Sequence, residues 1–82
     1  MDQIARTTKQ IGSAIRRQRR AIGQSQTDIS NKTNLRQATI SALESGESGT
    51  QLHTLIDVMT ALGLEMVIRE RSKAKTNIED IF

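Results

Sequence analysis

Eighty-two residues without a cysteine allow one small domain with a modest core, braced by neither a disulfide framework nor a thiolate metal site. Tyr and Trp are absent and Phe82 is the sole aromatic, which leaves no stacking platform for single-stranded nucleic acid or RNA. The net charge of +3 is lopsided: Arg6, Lys9, Arg16, Arg17, Arg19 and Arg20 precede residue 26 against Asp2 alone, a balance suited to phosphate contact or to a solvated charged face.

The first helix is predicted from about Lys9 to Ile22. Thr7 with Gln10 three residues later fits a capping box, Ile11, Ile15 and Ile22 fall on one face, and Gly23 stops the helix. A second, short helix starts at Gln26, where Ser25 caps it and Asp28 reciprocates. It carries Ile29 as its main apolar contact and ends by Thr33. Asn34 then takes the turn, since Asn tolerates the left-handed region better than other residues bearing a Cβ.

The third helix covers about Gln37 to Ser45, with Gly46 closing it. Ile40 and Leu43 point inward, which leaves Gln37, Ala38, Ser41 and Ala42 largely outside. Small side chains on the outside let the backbone approach another surface closely. Two short helices joined by a tight turn, the second with such a face, are the layout of a helix-turn-helix whose second helix enters the major groove.

A fourth helix follows, capped by Thr50 and ended by Gly63, with Leu52, Leu55, Ile56, Met59 and Leu62 at helical spacing. After Gly63 the period changes to two: Leu64, Met66 and Ile68 alternate with Glu65, Val67 and Arg69, as in a strand. A lone strand on a helical domain lacks a ladder partner, so it is expected to pair with its copy in a two-fold homodimer. The expected organisation is a domain over residues 1–71, its dimerising strand at about 64–71, and a flexible tail over 72–82. The tail ends on Ile78, Ile81 and Phe82, which either pack on the dimer or dock into a partner.

No signal-like or membrane-length apolar run is visible, which points to the cytoplasm and, for a DNA reader, to the nucleoid. No catalytic residue, cofactor or metal is expected. Ser13, Ser25 and Thr27 lack an activating base, and His53 has no ligand cluster around it, so it reads as a surface residue near a helix start.

Arg19, Gly23, Gln26, Ile29, Asn34, Thr39, Ile40, Ser41, Glu44 and Gly46, extended by Leu55, Leu62 and Gly63, stand at the spacing of the lambda-repressor-like (Cro/C1, XRE-type) helix-turn-helix family, which the chain resembles over about Ile11 to Gly63. The run QATIS with the later LGLEMVI is most similar to the HipB antitoxins of HipBA toxin–antitoxin modules. The resemblance implies an all-α fold of four to five helices with a C-terminal β-strand pairing across a homodimer. It also implies a repressor that binds a palindromic double-stranded operator, controls its own operon and neutralises a HipA-like Ser/Thr kinase toxin.

Base contacts are expected from Gln37, Ala38, Thr39, Ser41 and Ala42. Gln37 suits adenine N6 and N7, and the Ala38 methyl suits a thymine methyl. Phosphate contacts are expected from Gln26, Thr27, Arg36, Arg16, Arg17 and Arg20. The family pairs Arg19 with Glu44 as a structural salt bridge. Three departures from the family pattern stand out: Gln24 for an apolar residue, Asn34 for the turn glycine, and Ser30 for a packing alanine, which needs a hydrogen bond if buried. Two other functions fit the residues: a stand-alone phage-type or host repressor, and a protein-binding module that has lost DNA affinity.

Overall fold

In the computed structural model residues 2–71 are described, and they hold four helices and no strand. The tail with Ile78, Ile81 and Phe82 lies outside the described residues. The helices are α1 (Thr8–Ala21), α2 (Gln26–Thr33), α3 (Gln37–Glu44) and α4 (Leu52–Ala61).

Local chemistry sets most boundaries. Thr7 caps α1 and accepts from the Gln10 amide at 3.1 Å. The expected box is only half closed, because Gln10 Oε1 takes the Arg6 amide at 2.6 Å instead of that of Thr7. Ser25 and Asp28 close the full box on α2, with reciprocal bonds of 3.0 and 2.8 Å. Asn34 sits at φ 58°, the left-handed turn that breaks α2 from α3.

Side chains staple that turn. Thr33 Oγ1 donates to the Ile29 carbonyl at 2.8 Å and accepts from the Leu35 amide at 3.3 Å. The Ser30 hydroxyl donates to the Leu35 carbonyl, so the serine that replaces a packing alanine is satisfied. Such bonds replace the orphaned groups that two helix ends leave behind.

The core is Ile15, Ile29, Ile40, Leu43, Val58 and Leu62, with Ile11, Leu35, Leu55 and Leu64 packed against it. Every helix contributes, and α3 packs on both α1 and α2. Gly12 lets α1 lie against the end of α3: a Cβ there would sit 2.5 Å from the Leu43 carbonyl oxygen and 2.6 Å from that of Glu44. Gly46, at φ 79°, closes α3 against the Lys9 backbone. At the other end Gln18 Nε2 donates to the Leu62 carbonyl at 3.1 Å and ties α1 to the close of α4.

Two expectations about apolar faces need correction. Ile22 does not share the buried face of α1; it is the C-cap, turned 43% exposed as the chain leaves the helix. On α4 the predicted stripe is split. Thr54, Val58 and Leu62 form the buried row at i, i+4 and i+8, while Leu52 and Ile56 remain 64% and 46% exposed. Gln51, rather than Thr50, occupies the N-cap position. The apolar surface of α4 is wider than one core contact, so its outer half is left for something else.

Residues 64–71 form neither helix nor ladder within the chain. Leu64 packs on the core, whereas Met66, Val67 and Ile68 are exposed.

Candidate nucleic-acid interface

Helix α3 buries Ile40, Leu43 and Glu44 and turns Gln37, Ala38 and Ser41 outward, with Ala42 half-buried. The inward side chains fix its rotation, and that rotation decides which side chains are free to meet a ligand. Its N-cap is Arg36, whose side chain makes no capping bond. The Arg36 guanidinium is therefore not committed to the helix end.

Helix α2 holds α3 at both ends. At the start, the Thr27 hydroxyl donates to Gln37 Oε1 at 3.3 Å. At the far end, Gln26 Nε2 donates to Glu44 Oε1 at 3.2 Å. The same carboxylate receives Arg19 through Nε at 2.6 Å and Nη2 at 3.0 Å, a bidentate fork. Arg19 Nη1 also reaches the Gln24 carbonyl at 2.9 Å. The sequence therefore brings α1, α2 and α3 together through one buried pair, whose side chains are 11% and 4% exposed.

Its electrostatics follow from that geometry. The Glu44 hydrogen bond raises the Arg19 guanidinium above its ordinary value, against burial, with Glu44's charge adding to it. Burial pushes the Glu44 carboxyl up. Hydrogen bonds from Arg19 and Gln26 with the charges of Arg19 and Arg16 outweigh it and hold the group below the ordinary glutamate range. Asp28 is held low by the Ser25 amide and hydroxyl.

The predicted residues are spread over the helix-turn-helix and α1. Thr27 and Gln37 are hydrogen-bonded at the start of α3, whereas Gln26 is bonded to Glu44 at its far end. Arg36, Ala38, Thr39 and Ala42 line an open groove between α3 and the start of α4, with Thr50 and Gln51 on its other wall. Arg16, Arg17 and Arg20 share a separate patch with Ser13 on α1. The charge of Arg16 also acts on the Glu44 carboxylate, while Arg17 Nε donates to Gln3 Oε1 at 3.0 Å. His53 lies exposed at the start of α4, 3.8 Å from Asp57. Among the described residues no cluster of His, Cys, Asp and Glu could hold a metal ion, and no helix is long and apolar enough to cross a membrane.

Sequence reasoning missed two residues that place α3. Gly12 carries a weak signal, a glycine inside an otherwise strong amphipathic helix. Leu35, in the turn, is a half-buried anchor where only a turn residue was expected.

This arrangement, with two short helices packed across a left-handed turn and the second presenting amide and small side chains, defines a helix-turn-helix. The chain belongs to the helix-turn-helix family HTH_3, whose model matches residues 15–68. It is similar to a HipB–O4 20mer complex at 27% identity and TM-score 0.81, over 87% of this chain and 100% of that one. A HipB–O1–O2 complex follows at 28% identity and TM-score 0.78, over 84% and 100% of the two chains. A HipA–HipB–O2–O3 complex aligns at 27% identity and TM-score 0.80, over 87% and 100%. No curated protein sequence matches the chain.

Proposed function

We propose that this chain is a dimeric repressor of the HipB antitoxin type. It reads a palindromic operator in double-stranded DNA, represses its own operon and neutralises a HipA-like Ser/Thr kinase toxin. The observation that carries the reading is the extent of the likeness to HipB, which runs beyond the helix-turn-helix and covers 87% of the chain. That likeness includes HipB as it stands in a complex with HipA.

In this reading Gln37, Ala38, Ser41, Thr39 and Ala42 meet base edges, and Gln26, Arg36 and Arg16 meet phosphates beside them. Arg17 and Arg20 add positive potential from the outer side of α1. Self-association uses the exposed apolar groups Leu52 and Ile56 on α4 with Met66 and Ile68 of the following segment. Their exposure supports it, because a second protomer removes from water what one core leaves open. Residues 64–71 then pair as strands across the two-fold axis, anchored by Leu64 to each protomer's own core.

The test is capture of the tagged protein from its native lysate with and without nuclease. The expected result is a kinase-sized partner that survives nuclease. Recovery of DNA alone would replace the antitoxin reading with that of a stand-alone repressor.

A further inference from the structure

The bond between Thr27 and Gln37 reassigns one residue of the helix-turn-helix. A threonine hydroxyl carries a single hydrogen, whereas a phosphate oxyanion can only accept. In this structure that hydrogen goes to Gln37 Oε1, at 3.3 Å. The same hydroxyl cannot donate to a phosphate while it holds Gln37.

We infer that Thr27 is a positioning residue for base reading by Gln37 and not a phosphate donor. Both side chains are exposed, and a glutamine at the first position of a helix has three torsions to settle before its amide faces a base. Thr27 engages one lone pair of Oε1. The other lone pair and the Nε2 hydrogens stay available to a purine's N6 and N7. Gln26, its neighbour on α2, donates through Nε2 to Glu44 at the opposite end of α3. The start of α2 is thus built to preset the recognition helix, so that less side-chain freedom is lost on binding.

This inference rests on the proposed DNA reading, and the experiment separates the two. The probe is the duplex that the wild-type protein selects from a random 20-base-pair pool, with its single-base-pair variants and a scrambled control. Affinities are measured for wild type, Gln37→Ala, Thr27→Val, Thr27→Ser and the Thr27→Val/Gln37→Ala double variant, each with its melting temperature.

Gln37→Ala is expected to abolish discrimination at one position of each half-site. Thr27→Val should lower discrimination at that same position by roughly three- to tenfold, which is the fold-change expected from about 0.7–1.4 kcal/mol. Thr27→Ser should retain it, and Thr27→Val should add nothing in the Gln37→Ala background. If Thr27→Val weakens selected and scrambled duplexes by one factor, with or without Gln37, the hydroxyl serves the backbone and the inference is overturned. If Gln37→Ala itself changes no single position, the base-reading role fails first and takes the inference with it.

Discussion

Gly12→Ala is expected to destabilise the domain by about 3 kcal/mol, the upper end of what forced overpacking costs. Helix propensity argues the opposite sign, since Ala in a helix interior is better than Gly by roughly 0.5–1 kcal/mol. Packing decides it. The added methyl would lie 2.5 and 2.6 Å from two backbone carbonyl oxygens of α3, and backbone at a helix end cannot swing aside as a side chain can. For a domain of this size the loss corresponds to a melting temperature lower by about 12–24 °C. Because the clash falls on α3, operator affinity should drop even where the fold persists. Thermal melting followed by circular dichroism checks the first effect; an unchanged or higher melting temperature would show that α1 and α3 are farther apart.

Arg19→Met should cost on the order of 3 kcal/mol, because it leaves the Glu44 carboxylate buried without its bidentate partner, with Gln26 as its remaining hydrogen-bond donor. The double variant Arg19→Met/Glu44→Leu is expected to recover most of that loss, since no uncompensated charge then remains. The pair also sets a pH dependence. Glu44 is held below its ordinary value in the folded chain, so its contribution is complete above the unfolded glutamate range and is lost as pH falls through the lower folded value. Asp28 acts in the same direction. The raised Arg19 would matter only at extreme alkalinity. The stability gap between Arg19→Met and the wild type should therefore narrow as pH falls, because the wild type loses the Glu44 contribution while protonation removes the buried charge that the variant leaves unpaired. Denaturant melts at a series of pH values test this, and a gap that stays constant with pH would remove Glu44 from the account.

Much of this was legible in the residues because local chemistry fixed it. Ser25 with Asp28, Asn34 and Gly46 each specify a backbone event within a few positions, and all stand where their types require. The inward pair Ile40 and Leu43 followed from helical spacing, and the Arg19–Glu44 bridge from the family pattern. What stayed hidden depended on tertiary approach. Nothing local says that Gly12 is small because a carbonyl lies over it, or that Leu35 drops inward from the turn. The Leu52 and Ile56 stripe misled because periodicity reports that a face is apolar, not which of two surfaces covers it. The residues expected at phosphates split for a related reason: charge composition counted Arg16, Arg17 and Arg20 together, while helix geometry gives them a patch of their own with Ser13 on α1.

That α3 reads duplex DNA as part of a dimer is tested most directly by titrating the full chain, at about 150 mM salt, against the DNA upstream of its own reading frame and against a scrambled duplex of equal length. The predicted result is a preference of at least about a thousandfold for the native sequence, with two chains bound per palindrome. Equal affinity for both duplexes, or no binding to either, would contradict it.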